Sequence, residues 1–401
     1  MIQAAMGSPS DHGRERLLRL LALATFIIFF QAYMVAPIIP TLSVRFHAPV
    51  AATGLIVPAY LIPYGIATLA YGLLADRIGI HKVMYASLAA FAVLTIATAS
   101  ARSIEQLALW RLLTGIGASG VVPLALALVG RLYPYEQRGR ALGWIFGAMA
   151  GGMAFGAPLG ALVVPALGWQ GLFLLVGLAG VAILFVLWPS RPLIAGAAQP
   201  VMGGLGDVLR GYKALVGTAR GSRTYGYVFL NSMFHSGVFT WLGVYLEQHY
   251  AISPTTVGLA LLGYGIPGFL FGPAIGRAAD RWGRARLIPI GLLAGGLAVA
   301  LLLAEPPLIA VPLVTMLLSL GYDMTQPLFG GIVTALGGPR AGQAMGLNVF
   351  TLFIGFGLGS LLFGALIPAG FNLAFGLFLA VELIIGLLAF PAFRSEVALG
   401  R

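Results

Sequence analysis

The chain has 401 residues, of which 59% are hydrophobic and only 9% charged, and its mean hydropathy is +0.96. A soluble core cannot absorb that much apolar surface, so the composition excludes an ordinary water-soluble domain and places most of the chain in lipid. The formal net charge of +11 would suit nucleic acid, but the bases fall in short segments between apolar runs, where they set membrane orientation.

About twenty apolar residues cross the hydrocarbon as a helix, and twelve such spans are expected. The first six lie near 18–42, 50–74, 83–101, 105–131, 141–164 and 169–189. The last six lie near 225–248, 255–278, 286–304, 307–335, 343–367 and 371–393. The first span is long, lacks a small-residue cleavage site and has eleven successors, so it is expected to be an anchor and not a removed leader. The division is therefore residues 1–189, a connection at 190–222, and residues 223–401. Within the connection, Leu205, Val208, Leu209, Tyr212, Leu215 and Val216 recur at helical spacing opposite Asp207, Arg210 and Lys213. That pattern predicts a surface helix lying on the cytoplasmic leaflet, with an unstructured linker as the alternative.

An N-terminus in the cytoplasm puts 20 of the 23 lysines and arginines on that side, as the positive-inside rule requires. Only Arg45 and Arg102 then lie outside, with Arg111 inside a span. Both termini are expected to be cytoplasmic. The chain has no cysteine, which removes disulfides, thiolate metal sites and cysteine catalysis. Its two lysines, Lys82 and Lys213, sit in no phosphate loop, and its five histidines lack ligand spacing. Neither a cofactor nor enzymatic activity is expected.

Gly72-Leu-Leu-Ala-Asp-Arg-Ile-Gly79 returns as Gly276-Arg-Ala-Ala-Asp-Arg-Trp-Gly283, 204 positions later. Pro123 and Pro327 repeat the offset, and Arg138–Gly143 matches Ala341–Gly346 at 203. A repeat at half the chain length implies two related halves side by side, with a transport path between them.

These residues resemble the major facilitator superfamily over essentially the whole chain. Gly72–Lys82 is similar to the signature loop between helices 2 and 3, and Gly276–Arg286 to its counterpart between helices 8 and 9. Arg111-x-x-Thr-Gly-x-Gly117 resembles the helix 4 motif of proton-coupled members. Gly143, Gly152, Gly156, Pro158 and Gly160 resemble the helix 5 motif of drug:proton antiporters, with Ala157 interposed. The resemblance implies an all-α membrane protein of two pseudo-symmetric six-helix bundles, a cavity lined by helices 1, 4, 7 and 10, and alternating access by rocking. One departure stands out: related antiporters often carry an acid in helix 1 where this chain has Gln31, and Gln carries no proton.

Polar residues inside spans are costly and mark pathways. Gln31, Arg111, Asn231, His235, Asp323 and Gln326 form the candidate substrate and proton path. Asp323 is the leading proton carrier, against a permanent ion pair with Arg111. His235 is as well explained by packing. Glu382, in a peripheral helix, suits a structural carboxyl better than a second proton site. Tyr33, Tyr60, Tyr64, Trp241, Tyr245 and Tyr264 are candidates for an apolar cavity wall. Asp76, Arg77, Asp280 and Arg281, with Arg138 and Arg140, are expected to form a cytoplasmic gate, the aspartates meeting helix N-termini. Gly152, Gly156 and Gly160, with Pro158, are expected to give helix 5 a close crossing with helix 8. The resulting expectation is a monomeric bacterial inner-membrane exporter exchanging protons for a small organic solute. Lipophilic or cationic compounds come first, and efflux of a sugar or amino acid second. Uptake symport or uniport ranks below both.

Overall fold

The structure, a computed structural model, describes residues 11–133, 135–196, 205–264, 266–268, 270, 275, 278 and 281–396. Among these residues there are helices and no strands. Among the described residues, nine helices are long and apolar enough to cross a membrane. The first six spans are α1 (His12–Phe46), α2 (Val50–Gly72, continuing to Ile78), α3 (Ile80–Thr98), α4 (Ile104–Leu132), and α5 and α6, which share Tyr135–Leu187 on either side of Gly168. The last six are α7 (Ala219–Tyr250), α8 (from Pro254), α9 (Arg284–Leu303), α10 (Val311–Gly337), α11 (Ala341–Leu366) and α12 (Phe371–Ala392).

The two halves share turn geometry as well as sequence. Gly79 and Gly283, which end the repeated loops, have φ of 99° and 80°. That region admits glycine and few others, so each loop turns sharply into the next helix. At the other ends, His47 and Ala251 close the first helix of their halves with φ of 52° each. Several spans are broken inside. α1 turns at Met34–Val35 before Pro37, α4 at Ser119–Gly120, and α8 at Leu262–Tyr264. Breaks of this kind leave helix-end N–H and C=O groups that need partners.

The bundles meet tightly on the side opposite the linker. Gly243 of α7 lies against Pro37 of α1, where a Cβ would be 3.0 Å from the proline Cα. Gly258 of α8 lies against Pro158 and Ala161 of α5, and Gly54 of α2 abuts the Trp241 ring. Trp241 also donates its indole N–H to the Ser360 carbonyl at 2.8 Å. Gly65 of α2 packs on Phe350 and Phe353 of α11. Two turns further along the same face of α2, Gly72 meets nothing. Gly357 of α11 packs on Ile62, whereas Gly346, three turns nearer the linker, approaches only the Tyr212 hydroxyl at 3.9 Å. Among the described residues, contacts between the halves thus thin out towards the linker face.

Leu205–Val216 is helical, as its periodicity predicts, and part of its apolar stripe is seated on the protein. Tyr212 and Leu215 pack on Tyr225, Val333, Ala344 and Leu347. These two side chains rest on the ends of α7, α10 and α11, whereas Leu209 and Val216 of the same stripe stay exposed.

Candidate functional site

Asp323 lies on α10, nearly buried at 9% exposure. One turn earlier, the Ser319 hydroxyl donates to its Oδ2 at 2.9 Å. The second donor is the Gly268 backbone N–H of α8. Past the break in α8 the first amides have no helical acceptor, and Asp323 supplies one. A side chain at 268 would collide with this carboxylate, a Cβ falling 2.6 Å from its Oδ1. Asp323 therefore bridges α8 and α10. The alternative reading, a permanent ion pair with Arg111, does not hold: Arg111 is engaged elsewhere.

Tyrosines surround the acid. Tyr264 and Tyr322 lie close enough to couple electrostatically to Asp323, and Tyr33 couples to both. Tyr33 belongs to α1 and reaches across the interface to Phe239 of α7 and Phe356 of α11, with ring centroids 6.0 Å away in each case. Phe239 stacks near Tyr264 at 3.9 Å, and Tyr322 lies 6.1 Å from Phe356. The result is one carboxylate beside an aromatic wall built from both bundles. Such a wall attracts cations and large apolar groups.

Arg111 is fully buried in α4. Its Nη1 donates to the Gln31 side-chain Oε1 at 2.9 Å and to the Gln31 carbonyl at 3.0 Å. Nη2 reaches the Ala32 carbonyl at 3.3 Å, Nε the Ile56 carbonyl at 3.2 Å, and the guanidinium sits 4.4 Å from the Tyr60 ring centroid. The carbonyls of Gln31 and Ala32 are orphans of the break in α1, so Arg111 works as a helix cap. It is neither a snorkelling surface arginine nor an open anion site.

Other candidates hold α7 to α10. Asn231 Nδ2 donates to Thr325 Oγ1 at 2.8 Å, and Gln326 Nε2 to Ser232 Oγ at 3.4 Å. The buried His235 packs its ring on Phe234 and Tyr322 with neither nitrogen bonded. Glu382 is fully buried in α12, and neither of its oxygens meets a donor. Tyr60 and Tyr64 share the interface with Phe353, which stacks on Tyr64 at 4.0 Å. Trp241 instead seals the face opposite the linker, and Tyr245 packs peripherally on Phe371 and Phe375. Sequence reasoning missed Ser319, Tyr322 and Gly268. Ser319 sits at i−4 from Asp323, on the same helical face, a spacing that could have nominated it; Tyr322, at i−1, carries no such signal.

The helix 5 glycines pack differently from expectation. Gly152 lies against Phe26 and Phe29, Gly156 against Phe30 and Tyr33, and Gly160 against Met34. All five partners belong to α1, so the stripe joins α5 to α1 within one bundle. The crossing with α8 uses Gly258 on the other helix, against Pro158, Ala161 and Leu162. The stripe faces α1 because its spacing follows one helical face, and Pro158 lies on another.

Of the expected gate, Arg77 and Arg281 are exposed. Asp280 and the side chains of Asp76, Arg138 and Arg140 lie outside the described residues.

Comparison with known proteins agrees with this architecture. The family model of the Major Facilitator Superfamily matches residues 21–249 and 224–399. Multidrug resistance protein 1 of Bacillus subtilis is 23% identical, covering 95% of this chain and 97% of its own. An MFS-type transporter of Bacillus subtilis, YwfA, is 27% identical over 92% of this chain and 90% of its own. The gallate transporter of Pseudomonas putida is 32% identical over 43% of this chain and 39% of its own. Among solved structures, a bacterial homologue of the lysosomal transporter Spinster, inward-facing and unoccupied, superposes with a TM-score of 0.78. It shares 16% identity and covers 96% of this chain and 98% of its own. A D-xylose-proton symporter gives 0.76 at 15% identity, over 94% and 97%. These structures share the fold. The fold and the interfacial site define a multi-pass membrane transporter. The chain belongs to the major facilitator superfamily.

Proposed function

We propose that the chain exports organic cations or lipophilic amphiphiles in exchange for protons, with Asp323 as the group both compete for. The supporting observation is the Asp323 carboxylate beside Tyr264 and Tyr322, which Tyr33 of the opposite bundle approaches in turn. A proton and an organic cation each neutralise a carboxylate in a low-dielectric site, so binding one expels the other. Because Tyr33 and Asp323 belong to opposite bundles, rocking the bundles remakes the site and changes which face it opens to.

The excess of lysine and arginine on the linker face supports its lying in the cytoplasm, and on that reading the thinning of contacts there is an inward-facing arrangement. Closing it brings the repeated loops, with Asp76 and Asp280, towards the starts of the opposing helices, where a carboxylate meets a helix N-terminus. One chain contains the complete path and acts as a monomer. Relatives named for gallate and 4-hydroxybenzoate transport raise the case of an aromatic acid. Arg111, the buried cation, is already committed to carbonyls, which favours a cationic substrate. Efflux of a neutral metabolite is the second reading, supported by the Asn231 Oδ1, which is buried without a donor.

Inside-out vesicles with an imposed pH gradient separate these. Uptake of a lipophilic cationic dye, with proton release from the lumen, is expected. Gradient-driven uptake of hydroxybenzoate, a sugar or an amino acid in place of the dye overturns the reading.

A further inference from the structure

On the face opposite the linker, the α1–α2 turn, the α3–α4 turn and the start of α6 enclose a surface cavity of about 560 Å³. Arg45, His47, Arg102, Ser103, Glu105 and Trp169 are among its lining residues. Arg45 and Arg102 are the two bases that the sequence places in loops on this face, and both come to this one cavity. Neither guanidinium has a hydrogen bond or ion pair among the described residues.

Trp169 adds an independent sign. It is 4% exposed, wedged between Phe46 and Phe173, and its indole N–H has no acceptor. That N–H can only donate, and a buried donor left unpaired costs about 1–3 kcal/mol. Glu105 offsets only one of the two guanidiniums. Its carboxylate is turned onto the Ser103 hydroxyl and its own backbone N–H, so it serves the start of α4. The cavity is left with two guanidiniums against the single carboxylate of Glu105, a surplus of donors and of positive charge.

We propose that this cavity binds a phosphate group, held between Arg45 and Arg102 with the Trp169 indole donating to one of its oxygens. Guanidinium forks match phosphate oxygens in pairs. The volume exceeds what bare phosphate needs and accommodates a phosphoglycerol-sized group. The phosphate comes from an anionic lipid headgroup of the adjoining leaflet or from a soluble phosphate ester. The site is separate from Asp323 and does not depend on the transport reading.

The test uses the full chain in nanodiscs of phosphatidylcholine, with Arg45→Gln/Arg102→Gln and Trp169→Phe beside the unaltered protein. One arm measures retention of added phosphatidylglycerol by native mass spectrometry. The other titrates inorganic phosphate and glycerol phosphate calorimetrically. The linker face is also basic, so the readout is the difference between proteins. The double variant should bind about tenfold more weakly, and Trp169→Phe, which keeps the ring, a few-fold more weakly. Because the two guanidiniums are exposed and unpaired, the double variant should melt with the unaltered protein. A loss confined to the lipid arm identifies a headgroup site, and a loss confined to the soluble arm a phosphate ester site. Equal binding by the double variant and the unaltered protein in both arms overturns the proposal.

Discussion

Arg111 of α4 holds Gln31 of α1 twice, through the side-chain Oε1 at 2.9 Å and the backbone carbonyl at 3.0 Å. The guanidinium closes the broken end of α1 and, through the Ile56 carbonyl, ties it to α2. Its role is architectural. Replacing Arg111 by Ala strips donors from three buried carbonyls and opens a cavity, so it should cost roughly 3–5 kcal/mol. Thermal unfolding in detergent measures this. A stable Arg111→Ala protein that has lost only transport would instead indicate a substrate-binding arginine.

The glycines of α5 should sort by partner. Gly156→Leu places a branched side chain where a Cβ already lies 2.7 Å from the Phe30 carbonyl, and it should cost about 3 kcal/mol or more. Gly143→Ala and Gly147→Ala meet open space and should change stability by less than about 1 kcal/mol. Melting temperatures of the three variants decide; equal effects at 143 and 156 would contradict the packing of α5 on α1.

Glu396 anchors the segment after α12 to the start of α7. Arg220 Nε and Nη2 each reach it at 2.6 Å and Arg223 Nη2 at 2.7 Å. Burial alone would raise its carboxyl pKa, but these two arginines outweigh burial and hold it below the ordinary value. A depressed pKa means the stabilisation is complete above the unfolded value near 4.5 and is lost as pH falls through the folded value. Glu396→Gln should therefore lower the melting temperature at pH 7 and converge with the unaltered protein in strong acid. The cost should be about 1–2 kcal/mol, limited because Arg220 is half-exposed. A constant gap at all pH values would rule out the ion pair as its source.

The chain lacks cysteine, so introduced thiols report directly on the open face. Gly72→Cys and Gly346→Cys should react with an impermeant maleimide applied from the linker side. Ala161→Cys with Gly258→Cys, across the packed side, should cross-link and stop transport. Unreactive thiols at 72 and 346 would show that the bundles are closed on the linker face.

Much of the architecture was legible because it rests on periodicities and repeats. The offset of 204 reappears in the backbone as the positive φ of Gly79 and Gly283 and of His47 and Ala251. Asp323 was legible because an acid within apolar sequence needs a reason. Its partners were not. Gly268 donates only because α8 breaks, and no local pattern announces which distant carboxylate will cap that break. The same holds for Arg111, whose acceptors are carbonyls freed by a break in α1. The α5 stripe shows the limit most plainly: glycine spacing says that a helix will approach closely, and not which one.

In the proposed exchange, Asp323 is the group shared by proton and substrate. The direct measurement is proton release when a saturating lipophilic cation is added to purified protein in weakly buffered solution near pH 7. The unaltered protein should release about one proton per cation bound at low pH, fading as pH rises. Asp323→Asn should release none and bind the cation weakly. Undiminished release from Asp323→Asn, or cation binding without release in the unaltered protein even at low pH, would contradict it.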